Sequence, residues 1–315
     1  MLTRAAMTGP QLIRVCALAL VVLAGCSRGN ARGFEAAQAT GTPSMTATLA
    51  PTPTPTPSDG PVAPLLRFAV IGDFGSGFAT QHEIADRMCE WRESHPFDLV
   101  VTTGDNIYPD GSRQYFQRRF FSPYDCLLRG GVEFRASLGN HDYATDRGRD
   151  VLSEPAFGMP KRDYVLRTGG VRFVVADSNV LDREWLSDAT RARPLDLWTI
   201  VVFHHPVYSP GSHPDRGSTP GYRPSLPRLF EERGVDLVLN GHDHIYAASH
   251  PLRKIRYVVT GGGGASLYPC GDAWFAAECQ SRNHFLFIVV GQDRITVRAI
   301  GSTGPPFHRF STEGR

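Results

Sequence analysis

The sequence predicts an α/β domain, on two observations. From Leu65 onward, short runs rich in Val, Ile and Phe alternate with polar, helix-like stretches. Almost every unusual polar cluster in that region follows closely on the carboxyl end of one of the apolar runs. Strands are expected over residues 67–71, 98–102, 132–137, 171–176, 198–203, 236–239, 255–259, 284–290 and 294–300.

Between them, a helix is expected to begin at Thr80, where Thr80 and Glu83 have the spacing of a capping box and Ile84, Met88 and Trp91 fall on one face. A second helix runs through Leu226, Leu229 and Phe230 and stops at Gly234, a natural residue to follow a helix end. With 41% apolar residues in 315, the chain can bury a sizeable core, and one folded body with tails is expected. The 33 Lys and Arg nearly balance the 31 Asp and Glu, and no basic block stands out, so no nucleic-acid partner is expected.

The first residues read as an export signal. Residues 1–14 are short and basic through Arg4 and Arg14, and residues 15–23 form an apolar run too short to span a bilayer. That run meets Leu23-Ala24-Gly25-Cys26, which resembles a bacterial lipobox, in which the cysteine is lipidated and becomes the first mature residue. The expectation is a signal peptide over 1–25 and an exported chain, lipid-anchored through Cys26 to the cell membrane or outer membrane. An ordinary signal peptide cleaved nearby, or an uncleaved anchor, is the alternative. Residues 26–64 are mostly Thr, Ala, Gly and Pro, including Pro51-Thr52-Pro53-Thr54-Pro55-Thr56-Pro57, and should be a disordered, extended spacer, with a glycosylated or wall-crossing stalk of the same composition as the alternative. The folded domain is then 65–315.

Four cysteines remain in that domain, Cys89, Cys126, Cys270 and Cys279, and in an oxidising compartment they allow three pairings. Cys270 with Cys279 is favoured, because residues 271–278 read as a loop that a short bridge would staple. Four buried thiols are the alternative.

Five polar motifs carry the chemistry. Gly72-Asp73-Phe74-Gly75 follows the first apolar run, Gly104-Asp105-Asn106-Ile107-Tyr108 the second, and Gly139-Asn140-His141-Asp142 the third. Later, Val201-Val202-Phe203 leads into His204-His205-Pro206, and Leu237-Val238-Leu239 leads through Asn240 into Gly241-His242-Asp243-His244. Ligands of open α/β sheets sit outside the carboxyl ends of the strands, so clusters scattered in sequence can converge on one site. Carboxylate, phenolate, amide oxygen and imidazole without thiolate suit hard or borderline metals. A lone Asp after a strand is usually a turn residue and a lone His a satisfied surface or core group. Five such motifs in order are hard to explain as turns. Gly261-Gly262-Gly263-Gly264 lacks the Lys-Ser/Thr of a P-loop and reads as a tight turn near the site.

On these residues the chain resembles the calcineurin-like metallophosphoesterases, over roughly 67–246. The first block lacks a His two places after Asp73, and Tyr108 stands three residues after Asp105, which is the purple acid phosphatase pattern. The resemblance implies a four-layer αββα sandwich of two mixed β-sheets flanked by helices. It also implies two metal ions: Fe(III) on Asp73, Tyr108 and His244, and a divalent Fe, Zn or Mn on Asn140, His204 and His242, with Asp105 bridging. His141 and His213 would face the phosphate, and His205 stands where the small type often has Tyr. The implied activity is hydrolysis of a small phosphorylated substrate, a phosphomonoester, by metal-held hydroxide. A phosphodiesterase or nucleotidase of the same superfamily is the alternative, and a non-catalytic surface binding module is the alternative from another class.

Overall fold

The computed structural model describes residues 63–191, 193–212 and 225–314. The expected signal peptide, Cys26, most of the Thr/Pro-rich spacer and His213 lie outside the described residues.

In chain order the first elements are β1 (Leu66–Ile71), α1 (Ala79–Ser94), β2 (Leu99–Thr102), α2 (Asp125–Arg129), β3 (Glu133–Arg135), α3 (Asn140–Ala144) and α4 (Arg149–Ser153). There follow β4 (Tyr164–Thr168), β5 (Val171–Val175), α5 (Arg183–Ala189), β6 (Trp198–Val202), α6 (Leu226–Arg233) and β7 (Leu237–Asn240). The last are β8 (Tyr246–Ser249), β9 (Arg256–Thr260), β10 (Ala276–Gln280), β11 (His284–Val290), β12 (Arg294–Gly301) and β13 (His308–Glu313). One sheet has the order β13-β12-β11-β1-β2-β3, and the other β10-β8-β9-β7-β6-β5-β4. Both are mixed. β1, β2 and β3 run parallel, as do β5, β6, β7 and β9, while the remaining neighbours are antiparallel.

The central strands are buried on both faces, which is why they read as unbroken apolar runs rather than alternating ones. Inner-face side chains of the two sheets meet in one core, where Phe68 of β1 packs edge-to-face on Phe173 of β5 at 5.0 Å. Helix α1 covers the outer face of the first sheet, with Trp91 against Phe287 of β11. Helices α5 and α6 cover the outer face of the second, where Leu186, Leu226 and Phe230 pack with Val201, Phe203 and Val238. The result is the expected four-layer sandwich.

Several local expectations shift. Thr80 does not cap α1: the helix begins at Ala79, the capping position is Phe78, and the Thr80 hydroxyl donates to the Gly264 carbonyl at 2.8 Å. A long-range partner has won over the local one. α6 ends as expected, with Gly234 in the left-handed region at φ 76°. The third strand is shorter than the expected 132–137, because β3 stops at Arg135 and the chain then turns toward Gly139. Four strands escaped the sequence. β4, β10 and β13 are sheet edges, and β8 pairs with edge strand β10. Cys270 and Cys279 are bridged, and so are Cys89 and Cys126, with Cα separations of 6.0 and 6.3 Å. Cys279 itself lies in β10, so only the earlier part of that segment is loop.

His284 at the start of β11 is fully buried, with Nδ1 against the Arg282 carbonyl at 2.8 Å and Nε2 against the Thr260 hydroxyl at 3.0 Å. Burial lowers its pKa to about 4. The folded state therefore keeps it neutral while the unfolded chain takes up a proton near pH 6.5, so this group's contribution to stability falls as pH drops from about 6.5 to about 4 and is constant outside that window. The loss amounts to roughly 3 kcal/mol. His284→Asn, which retains a donor for the Arg282 carbonyl, should flatten the decline of the urea midpoint across that window. An unchanged slope would show that other groups govern acid sensitivity.

Candidate metal centre

The carboxyl ends of β1, β2, β3, β6 and β7 deliver the five motifs to one place. Asp73, Asp105 and His242 all have positive φ, at 57°, 51° and 72°, values costly for residues bearing a Cβ and typical of functional sites. Two glycines allow the loops to close. A Cβ on Gly139 would stand 2.0 Å from the Asp105 carboxylate, and one on Gly241 would stand 2.4 Å from that of Asp73.

The side chains form two groups. In the first, the Tyr108 hydroxyl lies 3.3 Å from Asp73 Oδ1, 3.1 Å from Asp105 Oδ2 and 3.0 Å from His244 Nε2. In the second, Asn140 Oδ1 lies 3.0 Å from His204 Nε2 and 2.9 Å from His242 Nδ1, and those two nitrogens are 3.2 Å apart. Asp105 Oδ2 joins the groups, because it is also 3.4 Å from His204 Nε2. Ligand bonds of about 2.0–2.2 Å place neighbouring donor atoms about 3.0–3.5 Å apart, so both groups have the spacing of coordination shells.

The surrounding hydrogen bonds orient these donors. His204 Nδ1 faces the Thr103 carbonyl at 2.9 Å and His244 Nδ1 faces the Ser266 carbonyl at 2.7 Å. Each Nδ1 is thereby an N–H donor, and each Nε2 is turned to the site, where a metal ion would take the place of a proton, the arrangement that metal-ligating histidines use. The His141 amide donates to Asp105 Oδ1 at 2.8 Å, leaving Oδ2 for the shared position. The His242 amide donates to both oxygens of Asp73, at 3.1 and 3.0 Å.

Charge points the same way. Among the described residues, the hydrogen-bond and ion-pair partners of Asp73 and Asp105 are Tyr108, histidines and backbone amides, with no lysine or arginine. Burial, reinforced by Asp105 and Asp73, holds the Tyr108 phenol well above its ordinary range. Burial alone would lower His204, but the carboxylates of Asp105 and Asp73 together with the Thr103 carbonyl outweigh it and carry the imidazole to about 10. Buried acids and a buried phenol around a common point suit a multivalent cation.

Of the predicted residues, Asp73, Asp105, Tyr108, Asn140, His204, His242 and His244 converge, and His141 stands at their edge with its ring 4.4 Å from that of Tyr108. His205 is buried beside them, with Nδ1 2.8 Å from the Ser178 hydroxyl and its ring 4.7 Å from that of His242. The four glycines at 261–264 thread beside the Asp73 loop, where Gly263 and Ala265 donate to the Gly72 and Asp73 carbonyls at 2.9 and 3.0 Å.

Two residues were not singled out from the sequence. Asp142 accepts from the amides of Asn106, Ile107 and Gly139, tying together the loops that carry Asp105 and Asn140. Burial and the Asp105 charge raise it to about 7. Its place in the third motif was the available signal. Tyr268 stacks on His244 at 4.2 Å, and nothing in its sequence neighbourhood announces that contact.

The calcineurin-like phosphoesterase family profile matches residues 66–246, more than half of the chain and every converging loop. The chain belongs to that family. As a calcineurin-like phosphoesterase it is a hydrolase of the metallophosphoesterase superfamily. It is 29% identical to purple acid phosphatase 7 of Arabidopsis thaliana over 68% of this chain and 74% of the relative. Among solved structures it is similar to purple acid phosphatase PPD1 from yellow lupin, with a TM-score of 0.68 and 19% identity over 78% of this chain and 53% of that one. It is equally similar in fold to GAP50, described as the anchor in the inner membrane complex of Plasmodium, with a TM-score of 0.68 and 18% identity over 79% of this chain and 89% of that one.

Beside the converging side chains opens a cleft of about 420 Å³ bordered by Tyr108, His141 and His244. A larger groove of about 610 Å³ lies at the amino ends of β1 and β2, where Leu66, Arg67 and Leu99 line it, and holds none of the converging residues.

Proposed function

We propose that this phosphoesterase hydrolyses phosphomonoesters at a binuclear centre of the purple acid phosphatase type. The observation that carries this reading is the pair of donor groups joined through Asp105 Oδ2, with Tyr108 in the first of them. Asp73, Tyr108 and His244 would hold one ion, Asn140, His204 and His242 the other, and Asp105 would serve both. The phenolate and two carboxylates favour a trivalent first ion such as Fe(III), and the amide and two imidazoles suit a divalent Fe, Zn or Mn. Bound there, the two cations supply a positive clamp for a phosphate dianion and a means of ionising water at moderate pH.

The chain's own residues do the rest. Asp73 and Asp105 are held rigidly by backbone amides, so the donors need no rearrangement to receive charge. His141 gives its Nδ1 hydrogen to the Pro109 carbonyl at 2.6 Å, which fixes the ring at the cleft edge with Nε2 available to a phosphoryl oxygen or leaving group. His213 is proposed as the second substrate-facing histidine.

Hydrolysis of p-nitrophenyl phosphate and bis(p-nitrophenyl) phosphate across pH tests this reading. Faster turnover of the monoester, retained into acid, is expected. Far greater activity on the diester would favour the phosphodiesterase alternative, and no turnover of either would favour a binding module on the same fold.

The lipobox reading places the folded body outside the cell on a spacer anchored at Cys26. Cys26→Ala should then move the protein from the detergent phase to the aqueous phase on partitioning, because the acylated thiol is the anchor. Unchanged partitioning would reject the anchor.

A further inference from the structure

We propose that the turn after β5, Asp177-Ser178-Asn179, positions the second donor group and so sets how tightly the second ion is held. This rests on the binuclear reading and deepens it. β5 runs parallel to β6, with Val175 opposite Val202, and the Ala176 amide donates to the Val202 carbonyl at 2.9 Å. The carboxyl end of β5 therefore lies beside the strand end from which His204 and His205 emerge. The residues of the turn act through neighbours of the donors, from two sides.

Ser178 acts through His205. Its hydroxyl lies 2.8 Å from His205 Nδ1 and accepts from the His205 amide at 3.1 Å, and both residues are buried. The ring fixed in this way packs at 4.7 Å on His242 and at 5.0 Å on His204, the two imidazoles of the second group. Asn179 acts through the backbone before Asn140. The fully buried Asp177 accepts at Oδ1 from the Asn179 amide at 2.9 Å and from its Nδ2 at 2.8 Å, while Arg162 Nη1 donates to Oδ2 at 3.1 Å. An ionised carboxylate only accepts, so Asp177 decides which end of the Asn179 side chain is turned inward. The second N–H of Nδ2 then faces the Gly139 and Leu138 carbonyls, at 3.3 and 3.5 Å. Gly139 is the capping residue of α3, whose first residue is Asn140, so this contact steadies the helix start from which Asn140 Oδ1 meets His204 and His242. The first group is oriented elsewhere, by the His242 amide on Asp73 and the Ser266 carbonyl on His244. Groups that orient metal ligands in this way typically contribute about 10–100-fold in metal affinity.

Zinc titration of metal-free protein against a competing chelator tests the assignment, with Asn140→Ala marking the binding step that belongs to the second group. Ser178→Ala and the half-exposed Asn179→Ala should each weaken that step by about tenfold to hundredfold and leave the other within about threefold. Ser178→Thr, which keeps a hydroxyl, should restore it. Excess zinc should return the turnover of both alanine variants to near the wild-type kcat, because the donors themselves are intact. Equal weakening of both steps would show a merely structural role and, like no change in the marked step, would overturn the proposal while leaving the binuclear reading in place. A wild type that binds fewer than two ions would overturn both.

Discussion

Asp105→Asn is expected to lower phosphomonoester turnover by on the order of 10²–10³-fold and to weaken binding of both metals. Asp105 Oδ2 is the atom common to the two donor groups, 3.1 Å from the Tyr108 hydroxyl and 3.4 Å from His204 Nε2. A neutral amide at that position leaves two cations less shielded from each other and offers a poorer bridge. The fold should survive, because the His141 amide can still donate to an amide oxygen in place of Asp105 Oδ1. Metal content and steady-state kinetics on the same preparation check the result. Asp105→Asn protein that keeps two metals and near-normal turnover would show that the centre is misplaced.

Tyr108→Phe should change colour more than catalysis. A tyrosinate on Fe(III) absorbs in the visible, so the iron-loaded wild type should be coloured and the variant bleached. Loss of one anionic donor should also loosen the trivalent ion and raise its reduction potential, since a less negative shell favours the lower charge. Turnover should fall by roughly 10–100-fold, following metal affinity, because Asp73, Asp105 and His244 remain. An unbleached variant would remove Tyr108 from the ligand set. A colourless wild type fully active with two zinc ions would reject iron and leave the phosphoesterase assignment standing.

The parts of this molecule that were legible in its sequence share a physical cause. β1, β2, β5, β6 and β7 are buried on both faces and parallel to at least one neighbour, so their apolar runs have no polar alternation to obscure them. The carboxyl ends of four of them, β1, β2, β6 and β7, lead into converging polar motifs, and that coupling of strand end to polar motif exposed fold and site together. The strands that escaped are governed by pairing rather than composition. β13 alternates buried and exposed residues in a polar run, His308–Glu313, at a sheet edge, and β10 is mostly half-exposed. Thr80 was misread because a capping spacing is local while its actual partner, Gly264, is 184 residues away. Phe78 and Tyr268 line the cleft only because two distant loops meet, and no periodicity encodes such a meeting.

The metal content of purified, active protein tests the central claim most directly. Two ions per chain are expected, with phosphatase activity lost in step with their release to a chelator and recovered on reloading. A chain that hydrolyses p-nitrophenyl phosphate at an undiminished rate with less than one ion per molecule would contradict it.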